Sequence, residues 1–190
     1  MAASPEIRAS SDATPAIDFD AIVIGAGMSG MYQLHRLREL GMRVRVFEAG
    51  TGVGGTWYWN RYPGARFDSE SYSYGYSFSP ELLREWDWSE HFAGQPETLR
   101  YLNHVADKFD LRRDIQFRSR VTAATWSEDT RSWNITLQDA SCFRARFLIT
   151  AIGPLSAPTL RSPAFIGIGP SDPAPRRRCP PGGFPRSPSA

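Results

Sequence analysis

Residues 19–30 have the sequence FDAIVIGAGMSG, in which a short apolar run leads directly into the glycine pattern G-x-G-x-x-G. The apolar run has the length and composition of a strand buried on both faces of a parallel sheet. Across residues 31–40, apolar side chains recur about every three positions, which predicts an amphipathic helix that Gly41 ends. Residues 42–47 return to a strand pattern. The order strand, glycine turn, helix and strand predicts a βαβ unit.

Each glycine of the pattern has a physical reason to be there. Gly25 permits the tight turn, Gly27 lets the backbone approach a pyrophosphate, and Gly30 lets helix and strand pack closely. The helix N-terminus offers free N–H groups and a partial positive charge. Glu48 ends the second strand 23 residues after Gly25, where a carboxylate can accept hydrogen bonds from both ribose hydroxyls. The combination predicts a dinucleotide-binding site.

The nature of the dinucleotide follows partly from charge. A carboxylate at Glu48 would repel a 2′-phosphate, so the site should prefer FAD or NAD over NADP. A second glycine pair, Gly54-Gly55, follows this acid closely, which is typical of flavoproteins with two dinucleotide-binding domains. The predicted fold class is therefore α/β, a Rossmann-like FAD-binding domain of that flavoprotein type.

The rest of the chain divides by composition. Ten of the fifteen prolines lie between Pro154 and the C-terminus. Such a segment buries too little apolar surface to offset its ordering entropy. We predict a disordered leader over residues 1–16, the FAD-binding domain over 17–160, and a disordered tail rich in Pro and Arg over 161–190.

Within the domain, residues 50–76 lack regular periodicity and are predicted to form a long structured loop, which in a compact domain is usually functional. Helices are expected over two ranges, about 80–87 and 96–109. Strands are expected over three further ranges, 115–126, 133–137 and 143–149, the last as a buried run.

Composition excludes several function classes. The 22 basic and 20 acidic residues nearly cancel, so we expect no nucleic-acid and no membrane partner. The three histidines are scattered and the two cysteines form no ligand pattern, so we predict no metal site. No apolar run approaches the roughly 20 residues of a membrane span, and the N-terminus lacks the apolar core of a signal peptide. A cytoplasmic protein is expected.

The motif from Gly55 to Asp68, GTWYWNRYPGARFD, resembles the pattern G-x-W-x-x-x-x-Y-P-G-x-x-x-D of type I Baeyer–Villiger monooxygenases, within the flavin-containing monooxygenase superfamily. The likeness continues through residues 70–78, 95–111 and 144–158, and is nearest to the phenylacetone and steroid monooxygenase branch. It covers roughly residues 17–160, the N-terminal FAD-binding part of such an enzyme.

The resemblance implies a flavoprotein that contains FAD, is reduced by NADPH, and inserts one oxygen atom beside the carbonyl of a small-molecule ketone to give an ester or lactone. It places Arg66, Phe67 and Asp68 near the nicotinamide cofactor. It also implies a catalytic role for Asp68, which would orient an active-site arginine. Residues that would contact FAD are Ser29, Glu48, Thr56, Trp57, Tyr58, Trp59, Asp68, Tyr74 and Val121, beside the glycines Gly25, Gly27, Gly30 and Gly55.

The sequence also departs from the family. After residue 160 it carries neither the histidine-containing motif F-x-G-x-x-x-H-x-x-x-W nor the second glycine motif that forms the main NADPH domain. Pro154 stands where the family has a glutamine beside the flavin. We therefore expect a truncated or frameshifted monooxygenase without turnover by itself. The alternatives are a naturally short form, a fragment of an N-oxygenating flavin monooxygenase, and a non-catalytic FAD- or NAD-binding module.

Overall fold

A computed structural model of the chain describes residues 16–155. The predicted tail, and the predicted leader apart from its last residue, lie outside these residues. The elements are, in chain order, β1 (Phe19–Ile24), α1 (Met28–Glu39), β2 (Val44–Phe47), α2 (Thr56–Trp59), α3 (Ser71–Tyr74), α4 (Pro80–Glu85), α5 (Gln95–Lys108), a 3₁₀ turn (Arg112–Asp114), β3 (Ile115–Gln116), β4 (Val121–Ser127), β5 (Ser132–Leu137) and β6 (Cys142–Thr150).

The six strands form one sheet in the order β3-β2-β1-β6-β5-β4. The pairs that involve β1 and β2 are parallel, and β6, β5 and β4 continue the sheet as antiparallel neighbours. In a parallel sheet the turns after neighbouring strands meet at one edge, and ligands bind there. The turns after β1, β2 and β6 therefore come together.

Strand β1 is buried on both faces, as predicted. Its Ala21 and Val23 belong to the larger core cluster, which also contains Met31 and Leu34 of α1. Ile22 points into a smaller cluster with Ile135 of β5. The α/β Rossmann-like fold is thus confirmed around the βαβ unit.

Local sequence features mark the ends of the helices. Gly41 takes the left-handed conformation (φ +73°) just after α1. The side chain of Ser79 accepts a hydrogen bond from Leu82 N at the start of α4, and α5 carries Pro96 in its first turn. None of the helices within residues 16–155 combines the length and the hydropathy that a membrane span requires.

The prediction of a single strand over residues 115–126 is wrong. The structure divides it into β3 and β4, because Arg118 has a positive φ of 54° and the chain turns there. The N–H groups of Arg118 and Ser119 donate to the carbonyl oxygens of Gly50 and Glu48 instead of continuing a ladder. This turn consequently packs against the segment that follows β2.

Two other expectations need correction. The segment 50–76 is not a loop throughout, since it contains the short helices α2 and α3. Strand β6 is not a buried run: Ala145 is buried but Phe147 is 50% exposed. Helix α1 packs on β1 and β2, so β6, beyond β1, keeps one of its apolar side chains in solvent.

Candidate functional site

The turn after β1 is closed by contacts that only glycine allows. Gly25 has φ +101°, and a Cβ there would lie 2.6 Å from the carbonyl oxygen of Ala151 at the end of β6. A Cβ on Gly30 would lie 1.8 Å from the carbonyl oxygen of Gly25, so α1 could not approach β1 with any other residue at this position. The predicted roles of these two glycines are confirmed.

Glu48 connects the two loops that flank the site. Its side chain is buried, with Oε2 accepting a hydrogen bond from Ala26 N (2.7 Å) and Oε1 accepting one from Gly50 N (2.6 Å). A carboxylate has about four acceptor positions, so both oxygens keep capacity for further donors such as hydroxyl groups. The acid is thus fixed in place while remaining able to bind a ribose.

The glycine pair after β2 meets the glycine turn after β1. Gly54 N donates to the carbonyl oxygen of Ala26 (3.0 Å), and a Cβ on Gly55 would lie 2.8 Å from the Cα atom of Gly27. Bare backbone therefore faces the site from both loops, which leaves N–H groups accessible to an anionic ligand.

Two clefts adjoin this backbone contact. The first, of about 560 Å³, includes Gly25, Glu48, Trp59, Arg120 and Val121 in its lining. The second, of about 300 Å³, includes Ser29, Thr56, Trp57 and Tyr74. Both are also lined by Gly27, Gly55 and residues 151–153, so they form one elongated site across the glycine turn.

Three aromatic side chains pack together beside the second cleft, and two of them, Trp57 and Tyr74, line it. Phe67 stacks on Tyr74 with ring centroids 4.1 Å apart, and Trp57 meets both rings edge-on at 5.8 Å. The indole Nε1 of Trp57 donates to the hydroxyl of Tyr74 (2.8 Å). Burial raises the pKa of Tyr74 above its ordinary value, with a smaller contribution from the charge of Asp68. We call Trp57, Phe67 and Tyr74 the aromatic wall.

Several predicted site residues lie away from both clefts. Tyr58 packs on Gly50 and Gly52, and its hydroxyl bonds to Thr51, which lowers the pKa of Tyr58. Phe67 is buried in the aromatic wall. These side chains support the loop that carries the motif. The contact of Tyr58 with FAD and the position of Phe67 near the nicotinamide cofactor stay predictions.

Arg66 and Asp68, on either side of Phe67, are exposed. Arg66 pairs with Glu90 (3.0 Å) and donates to the carbonyl oxygen of Phe92. Asp68 makes no ion pair within residues 16–155. The structure therefore brings most of the predicted dinucleotide residues together, but it places Arg66 and Asp68 on a neighbouring surface and Phe67 in the core.

The structure also adds lining residues that the sequence did not indicate. Ser119 and Arg120 line the first cleft because the turn between β3 and β4 packs against the segment after β2. Their only signal in the sequence is their position next to Val121. Gln95, at the start of α5, donates to the carbonyl oxygen of Trp57. It begins a segment that resembles the family, but nothing in the sequence indicated this contact.

Comparisons with known proteins agree with this geometry. Residues 23–84 match the family model "NAD(P)-binding Rossmann-like domain". Acetone monooxygenase (methyl acetate-forming) from Gordonia sp. (strain TY-5) is 55% identical over 139 residues, which is 73% of this chain and 26% of the relative. Phenazine N-monooxygenase PhzNO1 from Lysobacter antibioticus is 50% identical over the same shares of the two chains.

Solved structures also match most of this chain to one part of longer proteins. Oxidized steroid monooxygenase bound to NADP matches with a TM-score of 0.73 and 56% identity, covering 76% of this chain and 28% of that one. The crystal structure of an OTEMO complex with FAD and NADP matches with a TM-score of 0.73 and 52% identity, covering 76% of this chain and 27% of that one. The chain spans about a quarter of the length of the curated relatives that it matches.

Proposed function

Since this chain is homologous, over its N-terminal part, to Baeyer–Villiger monooxygenases, we propose that residues 17–160 are the FAD-binding part of an NADPH-dependent monooxygenase that converts a ketone into an ester or lactone. The observation that carries the proposal is the elongated site across the contact between Gly27 and Gly55. An acid lies at one end, bare backbone at the centre and the aromatic wall at the other end. This arrangement fits a dinucleotide with a flat, partly apolar ring system.

The residues present fit FAD segment by segment. Glu48 would accept hydrogen bonds from the ribose hydroxyls, and the backbone at Gly27 and the N-terminus of α1 would bind the pyrophosphate. Thr56, Trp57 and Tyr74 would lie along the flavin half. Bound there, FAD would supply the redox chemistry, and the chain's own residues would hold and orient it.

Asp68 is assigned the role of orienting a catalytic arginine. Its carboxylate is exposed, stands next to the aromatic wall and makes no ion pair within residues 16–155, which leaves it available for such a partner. Its exposed neighbour Arg66 would contact the nicotinamide cofactor, with Phe67 supporting the segment from the core.

We also propose that the 190-residue chain has no turnover by itself, because residues 161–190 contain neither the histidine motif nor a second glycine motif. The test is to purify the chain with FAD and then add NADPH and acetone or cyclohexanone. We expect retained flavin without ketone-dependent NADPH consumption. Ester or lactone formation would contradict the lack of turnover, and a folded chain that retains no flavin would contradict the binding proposal.

One observation favours a second candidate, oxygenation at nitrogen. The phenazine N-monooxygenase shares this region at 50% identity, close to the 55% of the acetone monooxygenase. The region that this chain covers therefore occurs both in a relative named as an acetone monooxygenase and in one named as a phenazine N-monooxygenase. The test requires a protein that combines this chain with the histidine motif and the second glycine motif. Given a cyclic ketone and a phenazine in parallel, it would form a lactone under the first proposal and an N-oxide under the second.

A further inference from the structure

Gln95 is a buried polar residue that lines neither cleft yet contacts two separate parts of the motif. It is the first residue of α5 and 8% exposed. Its side-chain Nε2 donates to the carbonyl oxygen of Trp57 (2.5 Å), and its backbone N–H donates to the carbonyl oxygen of Ala65 (2.8 Å). One residue thus joins two segments that are eight positions apart in sequence.

The carbonyl oxygen of Trp57 needs a donor from outside its own helix. Helix α2 ends at Trp59, so Arg61, whose N–H would be the usual partner four residues on, lies beyond the helix. The amide of Gln95 fills that place. A buried carbonyl without a donor is costly, so this hydrogen bond constrains where Trp57 can lie.

The second contact, from the backbone N–H of Gln95 to Ala65, holds the segment that carries Phe67. Ala65 precedes Phe67 by two residues, and the short bridge between Arg66 and Gly94 holds the same segment against the start of α5. Trp57 and Phe67 are two of the three members of the aromatic wall. Their backbones are therefore fixed relative to each other through Gln95.

We propose that Gln95 is a positioning residue for the flavin half of the site: it holds Trp57 and Phe67 in register so that the aromatic wall fits an isoalloxazine ring. The adenosine half does not depend on it, because Glu48 is held by Ala26 and Gly50. The inference rests on the proposed binding of FAD. It predicts that the two halves of the ligand respond differently to a change at Gln95.

The test compares FAD with ADP, which contains only the adenosine and pyrophosphate part. Gln95→Met keeps the size of the side chain and removes the donor. We expect FAD affinity to fall by about tenfold, the factor that corresponds to one buried hydrogen bond, while ADP affinity changes by less than about twofold. Calorimetric titration of the full chain with each ligand measures both.

Gln95→Glu adds a readout that general destabilisation does not reproduce. A protonated carboxyl can donate to the carbonyl oxygen of Trp57, whereas a carboxylate repels it. We therefore compare the FAD affinity of Gln95→Glu with that of the original chain at each pH. The ratio of the two affinities should rise as the pH is lowered toward the pKa of the introduced carboxyl group. Gln95→Met should show no such recovery.

Asn103 provides the matched control. It lies on the same helix, and its side-chain amide donates to the carbonyl oxygen of Leu99 (2.7 Å), away from the motif. Asn103→Leu should leave the ratio of FAD to ADP affinity unchanged even if it lowers stability.

The outcomes separate the two proposals. If the original chain folds but binds no FAD, the proposed function fails. If it binds FAD and Gln95→Met weakens both ligands equally, or neither, the inference about Gln95 is overturned while FAD binding stands. Failure of both Gln95 variants to fold would also overturn it, because Gln95 would then serve the whole domain.

Discussion

The backbones of Gly27 and Gly55 are in direct contact: a Cβ on Gly55 would lie 2.8 Å from the Cα atom of Gly27. The first glycine belongs to the turn after β1 and the second to the loop after β2. Their contact is where the two clefts meet, so the path of a dinucleotide depends on two residues that have no side chain. A side chain on Gly55 would occupy space that the backbone of Gly27 already fills.

Gly55→Ala should therefore lower both stability and FAD affinity. Gly55 has φ +53°, and the atom that a Cβ would meet is backbone, which cannot move aside. We expect a loss of about 1–3 kcal/mol in the free energy of unfolding, measured by urea denaturation. Gly75→Ala is the control, because Gly75 has a negative φ and a Cβ there would meet nothing closer than 3.4 Å. Equal behaviour of the two variants would contradict the steric argument.

Replacement of Glu48 by glutamine tests the acid. The amide of glutamine has only one acceptor oxygen, so its NH₂ group would face the N–H of either Ala26 or Gly50. Two donors would then oppose each other, and one hydrogen bond would be lost. We expect FAD affinity to fall at least about tenfold, together with a loss of stability of about 1–3 kcal/mol. Glu128→Gln, in an exposed turn, should change neither quantity. Unchanged FAD binding in Glu48→Gln would show that the carboxylate does not contact the ligand.

Trp57→Phe should loosen the aromatic wall without unfolding the chain. The ring remains, but the donor to the hydroxyl of Tyr74 is lost. Since that hydrogen bond lowers the pKa of Tyr74, its removal should raise the pKa further, which ultraviolet titration of tyrosinate detects. Trp126→Phe, on the exposed strand β4, is the control. An unaltered tyrosinate titration would mean that the bond is absent in solution.

Buried tyrosines should make the chain sensitive to alkali. Burial raises the pKa of Tyr76 well above its ordinary 10.0, and burial also raises the pKa of Tyr101. A group with a raised pKa in the folded state contributes stability that is complete below its unfolded pKa and declines as the pH rises above it. The free energy of unfolding should thus fall as the pH rises above 10.

Tyr76→Phe separates this effect from general alkaline damage. The variant loses the hydrogen bond from the Tyr76 hydroxyl to the carbonyl oxygen of Met28 and should be less stable near neutral pH by about 1 kcal/mol. Its stability should then decline less steeply than that of the original chain at high pH. Parallel decline of the two chains would contradict the assigned cause.

The βαβ unit was predictable because its signals are local. The apolar run of β1, the glycine pattern and the end of α1 at Gly41 each follow from short-range sterics, and Glu48 follows from its spacing. The break at Arg118 was not predictable, because it arises from hydrogen bonds to Gly50 and Glu48, which are distant in sequence. The contacts of Gln95 were not predictable for the same reason. A single glutamine before a proline forms no pattern, and its partners lie 38 and 30 positions away.

The central claim is that the chain binds FAD across the contact between Gly27 and Gly55. Titration of the folded, flavin-free chain with FAD, followed by competition with ADP, tests it most directly. We predict one FAD per chain, displaced by ADP because both ligands use Glu48 and the glycine turn. A chain that is folded by circular dichroism yet shows no saturable FAD binding, or binds FAD that ADP does not displace, would contradict the account.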